Sequence, residues 1–273
     1  MKIWLDGGLQ DIESARVSVF DHGLTVGDGI FETVKATDGK TFALTRHLDR
    51  LTRSARGLGL PDPDLDEVRR GCAAVLDANP MPLGRLRITY TGGHGPLGSD
   101  RGEHGPTLVV ALGESNRRPD STAAVTVPWT RNERGALTGL KTTSYAENVV
   151  ALARARQHGA SEALFANTVG QLCEGTGSNV FVVLDGELHT PPVTSGCLAG
   201  ITRALTVEWT GAKETDLPLD VLERADEVFL TSSLRDVQAV HLVDGRQLPG
   251  TAGPATAKAM RVFDERSGDD LDP

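Results

Sequence analysis

Runs with strand character alternate with runs of helical periodicity along this whole chain, but without the regular β-α-β beat that a parallel sheet demands. Met1–Leu5 and Gly29–Lys35 (GIFETVK) read as strands, the second approached through the Gly-rich turn at Gly23–Gly29. Leu44, Leu48, Leu51, Ala55 and Leu58 then recur at helical spacing, and Gly57 and Gly59 stop the pattern before Pro61. Asp64–Ala78 is a second helix candidate. Arg85–Thr91 and Thr107–Leu112 are strands around a polar, glycine-rich loop, Gly92–Gly105, which is too long for a tight hairpin turn; loops of that length are often functional. Further on, Ala123–Trp129, Glu162–Asn167, Asn179–Leu184 and Glu227–Thr231 read as strands, and Tyr145–His158, Ile201–Trp209 and Ala255–Glu265 as helices. The order predicts an α+β (mixed α/β) protein of two domains with mixed sheets. Gly113–Thr122 (GESNRRPDST), polar and without apolar periodicity, is the best linker, which divides the chain into 1–117 and 118–273. The acidic end, SGDDLDP, is expected to fray.

Composition narrows the function. At 273 residues and 39% hydrophobic content the chain can bury a substantial core. A net charge of -9 without a basic run argues against nucleic acid as the partner and favours a small molecule. Cys72, Cys173 and Cys197 form no C-x-x-C pair, so neither a disulfide framework nor a metal site is expected. No charged-then-apolar leader and no run of membrane-spanning length is found, so the expectation is a cytoplasmic protein that engages no membrane.

Among the six lysines, Lys141 stands out in Leu140-Lys141-Thr142-Thr143, with Tyr145 and Asn148 just downstream to offer a phenol and an amide. Glu174 follows in a Gly/Ser/Thr/Asn-rich segment, Cys173–Asn179, that reads as a turn pinned by the next strand. A lysine amine can form an imine with an aldehyde cofactor, and a carboxylate beside a pyridine nitrogen keeps that ring protonated as an electron sink. Taken alone, such a lysine is usually a solvated junction residue, and such a glutamate merely part of a turn.

Two further pieces suit an anion. Gly200 opens a helix whose first backbone N–H groups, at Ile201 and Thr202, point outward together with the Thr202 hydroxyl. Ser232 and Ser233 add hydroxyls at the end of the Glu227–Thr231 strand. Arg50 lies off the leucine stripe of its helix.

In this order the residues resemble the fold-type IV pyridoxal-phosphate enzymes, which include branched-chain aminotransferases, D-amino-acid aminotransferases and 4-amino-4-deoxychorismate lyases. The resemblance runs nearly end to end. It is carried by Val26-Gly27-Asp28-Gly29, His47-x-x-Arg50-Leu51, Lys141, Glu174-Gly-x-Gly-Ser-Asn179, Gly200-Ile201-Thr202-Arg203 and Glu227-Val-Phe-Leu-Thr-Ser232. It implies a D-amino-acid-aminotransferase-like fold with a small N-terminal and a larger C-terminal domain, pyridoxal 5'-phosphate held between them, and a homodimer. It further implies that Lys141 bonds to the cofactor aldehyde and moves the proton. Glu174 would hold the ring nitrogen and Tyr145 lie near the ring's phenolic oxygen. Arg50, Ile201, Thr202, Ser233 and its neighbour Ser232 would hold the phosphate.

The reaction is read from the substrate pocket. Thr33, in Gly29-Ile30-Phe31-Glu32-Thr33, occupies a position where lyases often have threonine and branched-chain aminotransferases tend to have glycine, and its hydroxyl would assist proton transfer. The Gly92–Arg101 stretch lacks the Arg-x-His carboxylate trap of D-amino-acid enzymes in its usual place, with Arg101, Arg87 or His94 as substitutes and Phe31 beside the substrate. The resemblance therefore leads to a lyase giving 4-aminobenzoate and pyruvate in folate biosynthesis. The alternatives are an aminotransferase acting on D-amino acids, branched-chain amino acids or amines, and a non-catalytic small-molecule binder on the same scaffold.

Overall fold

The computed structural model describes residues 1–117, 119–248 and 252–273; Arg118, inside the expected linker, lies outside the described residues. The chain forms two compact units. The first comprises Met1–Arg117, Leu140–Tyr145 and Leu271–Pro273, and the second Arg118–Gly139 and Ala146–Asp270. The segment that bears Lys141 thus belongs to the first unit.

The elements of the first unit are β1 (Lys2–Leu5), β2 (Gly8–Asp11), α1 (His22–Thr25), β3 (Gly29–Thr37), β4 (Lys40–Thr41), α2 (Leu44–Leu58), α3 (Leu65–Ala78), β5 (Leu83–Thr91) and β6 (Thr107–Glu114). They build an antiparallel sheet in the order β2-β1-β6-β5-β3-β4. β3 and β5 pair in register from Gly29↔Thr91 to Thr37↔Leu83. Because side chains alternate, Ile30, Glu32 and Val34 share a face with Leu86, Ile88 and Tyr90, while Phe31, Thr33 and Lys35 face the other way with Arg87. The first face is the core. Leu48, Leu51 and Ala55 of α2 and Val68, Cys72 and Val75 of α3 pack on it.

Local chemistry sets the helix ends. Gly59, at φ 71°, closes α2 by returning its N–H to Ala55 and Arg56, and Asp64 caps α3 by accepting from Asp66 N (2.9 Å) and Glu67 N (3.1 Å). The start of α2 is capped from afar. Ala43, in the left-handed region, provides no side-chain cap; Asp272 instead accepts from Thr45 N at 2.8 Å and Thr45 Oγ1 at 2.6 Å. Arg46 Nε donates to Pro273 O at 2.7 Å and Ala43 N to Leu271 O at 2.7 Å. The expected frayed tail is therefore corrected: its acid satisfies the open N–H groups of a helix.

The second unit comprises β7 (Ser121–Arg131), α4 (Ala146–Gln157), β8 (Glu162–Asn167), β9 (Leu172–Gly175), β10 (Asn179–Leu184), β11 (Glu187–Thr190), α5 (Ile201–Thr210), β12 (Lys213–Glu214), α6 (Val221–Arg224), β13 (Glu227–Ser232), β14 (Asp236–Val243), β15 (Arg246–Gln247) and α7 (Pro254–Asp269). Its mixed sheet runs β12-β11-β10-β13-β14-β7-β8-β9, with β15 on β14. β14 pairs parallel to β7 and β7 parallel to β8. Ala151 and Ala155 let α4 lie close on the β7 and β8 residues Val125, Ala163 and Phe165, while Val180, Val182, Val228 and Leu230 form the core on the β10–β13 pair. The mixed α/β class expected from the sequence is the one observed. β9 is a difference: Glu174, expected in a turn, is within a strand because Phe165 of β8 pairs with it, and the bend comes only after Gly175.

Candidate active site

In the first unit the strand edge of β3 positions the lysine. Phe31 N–H donates to Lys141 O at 2.9 Å, Thr143 N–H to Gly29 O at 2.8 Å, and Thr142 bridges Ile30. From α2, Ser54 Oγ accepts the Lys141 N–H at 3.2 Å. Thr143 and Ser144 hydroxyls both donate to Gly27 O, so the residues before α4 are stitched to the Gly27–Phe31 stretch. Lys141 itself is half-buried, its Nζ 4.2 Å from the Phe31 ring centre. Tyr145 meets the same ring edge-on, with centres 5.4 Å apart.

Arg87 stacks on Phe31 with its guanidinium carbon 3.3 Å from the ring centre. Burial pulls the guanidinium down to about 10, which leaves it a cation at neutral pH. Its Nε reaches Thr89 Oγ1 at 3.3 Å, and among the described residues no carboxylate forms an ion pair with it. Thr33 is the cross-strand partner of Arg87 and so shares its face.

Beneath β3, Glu32 is fully buried and accepts from Arg50 Nε (2.8 Å), Arg50 Nη2 (2.7 Å) and His47 Nδ1 (2.7 Å). Burial pushes the Glu32 carboxyl up, but the charges and hydrogen bonds of Arg50 and His47 outweigh it and hold the group well below the ordinary carboxylate range. Burial also lowers His47, against the pull of Glu32. Arg50 is therefore oriented by a buried carboxylate. Arg101, by contrast, is committed elsewhere: it forks onto Asp28 through Nε and Nη2, both at 2.7 Å, and donates to the Leu58 and Gly59 carbonyls at the end of α2. His94 lies 3.0 Å from Ser18 Oγ and against the rings of Phe20 and His104. Of the candidate carboxylate receptors, the structure brings Arg87 to the Phe31 ring where Lys141 lies.

In the second unit Glu174 accepts from Leu198 N–H at 2.9 Å and lies 3.1 Å from Arg131 Nε. Arg131 stacks at 3.9 Å on Phe165 and also bonds Glu147 and Asn148. The bend after Glu174 is fastened to buried Glu162, which accepts from Thr176 N (2.9 Å), the Thr176 hydroxyl and Ser178 Oγ (2.7 Å). Sequence reasoning missed Arg131 and Glu162. The available signal for Arg131 was its place at the end of a long β-run; Glu162 had none beyond opening a strand.

α5 begins at Gly200 without a side-chain cap, and a Cβ on Gly200 would lie 2.0 Å from Asn179 Oδ1. Thr202 is buried at its first turn, and Ser232 and Ser233 end β13 half-buried. Next to them the buried Thr231 Oγ1 has no hydrogen-bond partner among the described residues. The chain thus holds a lysine amine, an acceptor carboxylate, an uncapped helix start that admits no side chain, and an orphaned hydroxyl. That donor set fits a cofactor with an aldehyde, a ring nitrogen and a phosphate.

Residues 29–243 match the family described as amino-transferase class IV. A putative branched-chain-amino-acid aminotransferase of Methanocaldococcus jannaschii is 36% identical over 96% of this chain and 95% of its own length. A bifunctional aminodeoxychorismate lyase / D-amino acid transaminase of Mycobacterium tuberculosis is 31% identical over 92% of this chain and 94% of its own. Among solved structures, the branched-chain amino acid aminotransferase of Escherichia coli superposes with a TM-score of 0.91 at 27% identity, covering 97% of this chain and 93% of that one. A hypothetical aminotransferase of Mycobacterium tuberculosis in its PLP-bound form gives 0.85 at 28%, covering 97% and 98%. The chain belongs to the class IV aminotransferases, a family that uses pyridoxal phosphate. Among the described residues there is no group of side chains that would hold a metal ion, and no helix is long and apolar enough to cross a membrane.

Proposed function

We propose that this chain is an aminotransferase that moves the amino group of an α-amino acid to a keto acid, with Arg87 receiving the substrate carboxylate. The observation that carries this reading is the buried guanidinium of Arg87, without a carboxylate partner among the described residues, on the same ring as the Lys141 amine. A charge-assisted pair with a substrate anion would satisfy it. Pyridoxal phosphate, when bound, supplies an aldehyde and an electron-withdrawing ring.

The residues then act as follows. Lys141 Nζ bonds the aldehyde and, once the substrate amine displaces it, carries the proton to and from the amine-bearing carbon. Tyr145, edge-on to Phe31, offers its phenol to the cofactor's phenolic oxygen. Glu174, braced by Arg131 and the Leu198 N–H, accepts the ring N–H. Ile201 and Thr202 at the start of α5, with Ser232, Ser233 and Arg50, hold the phosphate.

On sequence alone Thr33 leads to the lyase, whereas the relatives favour amino transfer. The lyase remains the second reading, and what supports it is the Thr33 hydroxyl directly across from Arg87 in the β3–β5 register. A relative that carries both activities makes the pair compatible. The test is to give purified holoenzyme L- and D-amino acids with 2-oxoglutarate, and separately 4-amino-4-deoxychorismate. Glutamate formation supports the transfer; 4-aminobenzoate and pyruvate without any glutamate would reverse the choice.

The working unit in this reading is a homodimer in the cytoplasm. Its support is the exposed apolar surface of the first unit, with Val19 70%, Leu24 69% and Leu97 74% exposed, and of α4, with Val149 63% exposed. A second copy of the chain would cover such surface.

A further inference from the structure

A groove of about 750 Å3 opens in the first unit beside the β1–β2 turn and the start of α3. Asp6, Asp62, Asp64 and Glu67 line it, against Arg70 and His104 as the basic groups. Two of the four carboxylates are already engaged: Asp62 takes a fork from Arg56 at 2.9 and 2.7 Å, and Asp64 caps α3. Asp6 and Glu67 are different. Asp6 Oδ1 accepts the Leu108 N–H at 2.7 Å, and among the described residues neither Asp6 nor Glu67 has a cationic partner. Glu67 Oε1 lies 3.8 Å from where a Cβ on Gly7 would be, so its carboxylate is close to the turn that carries Asp6.

A second, independent observation points into the groove. Tyr90 is only 8% exposed, lines the groove, and its hydroxyl has no hydrogen bond among the described residues. Buried hydroxyls are ordinarily paired. Burial raises Tyr90, as do the charges of Asp62 and Glu67. Asp6 is likewise raised by burial, then by Glu67 and Asp21. The site lacks positive charge and a polar partner at the same place.

The lining also decides the kind of cation. Among the described residues no group of three side chains is arranged to hold a metal. The indole of Trp4, laid on α3 where a Cβ at Gly71 would come within 2.9 Å of it, and the ring of Tyr90 form aromatic walls. Aromatic walls and volume of this order suit an organic body with a positive end rather than a bare ion. We propose that this groove binds a small organic cation, an alkylammonium whose N–H bonds are accepted by Asp6 and Glu67 and whose charge faces the Tyr90 hydroxyl.

The probe is N,N,N′,N′-tetramethyl-1,4-diaminobutane. Its protonated tertiary amines keep the charge and an N–H donor but cannot form an imine, so it leaves the lysine-bound cofactor untouched. Titrated calorimetrically into the holoenzyme, it is expected to bind saturably at one site. Glu67→Gln and Asp6→Asn should each weaken it about tenfold, and Tyr90→Phe about fivefold, with cofactor absorbance unchanged. Should Asp6→Asn not fold, Glu67→Gln on the half-exposed face of α3 carries the test. Absence of saturable binding, affinity unchanged in Glu67→Gln and Tyr90→Phe, or equal competition by magnesium chloride at matched ionic strength would each overturn the proposal.

Discussion

Glu32→Gln tests how the first unit orients Arg50. Glu32 is fully buried and its two oxygens take three hydrogen bonds, at 2.7 to 2.8 Å, from Arg50 and His47. Glutamine keeps the shape but removes the charge, and one of its two termini becomes a donor facing donors. Removing one partner of a buried pair costs about 3–5 kcal/mol, and with one acceptor retained the lower end applies, about 3 kcal/mol. For a chain of this size that is a fall in unfolding midpoint of about 6–12 °C. The assay is thermal unfolding of cofactor-free protein, followed by titration with pyridoxal phosphate. Weaker cofactor binding should accompany the fall because Arg50 loses its brace. Glu32→Leu with Arg50→Met should recover much of the stability, since neither charge is then left alone, yet not the cofactor affinity. A Glu32→Gln protein within about 1 kcal/mol of the parent would refute the reasoning.

Other expectations follow from the same structure. Asp272→Ala removes the cap on α2 and should cost about 1 kcal/mol, read as a drop in midpoint of about 2–4 °C; an unchanged midpoint would mean that the tail contact is idle. Acidification should destabilise the protein in two stages. His47 is lowered from its ordinary 6.5, so the unfolded chain binds the proton first and stability falls as the pH drops below that value. Glu32 is lowered from its ordinary 4.5, so its contribution is present above that value and is lost at still lower pH. Urea unfolding at several pH values checks this, and His47→Gln should flatten the first stage. Gly200→Ala drives a methyl to within 2.0 Å of Asn179 Oδ1 and should weaken pyridoxal-phosphate binding by about tenfold or more, measured by absorbance titration.

Much of this was legible in the sequence where the determinants are local. The leucine stripe and Gly59 define α2 at Leu44–Leu58, and Glu162–Asn167 and Asn179–Leu184 are strands at the bounds their apolar runs give. What was not legible depends on distant partners. Cys173–Asn179 has turn composition, yet Phe165 draws Glu174 into a strand. Asp272 looks like a solvated tail residue until Thr45 is found beside it. β14 was missed, although Val237, Ala239 and Val243 alternate with more polar positions. In the candidate site the isolated chemical groups, Lys141 and Glu174, announced themselves by type. Their braces did not: Ser54 and Phe31 hold the lysine segment, and Arg131 holds the glutamate, through contacts that no local spacing encodes.

The central claim is that Lys141 drives amino transfer from an amino acid. The direct measurement is a single half-reaction: holoenzyme mixed with one amino acid and no keto acid, with the cofactor absorbance and the released keto acid followed together. Loss of the aldehyde-bound absorbance with one equivalent of keto acid per site is predicted, and Lys141→Ala should abolish both. Keto acid formation that survives in Lys141→Ala, or no conversion of the cofactor by any amino acid, would contradict the account.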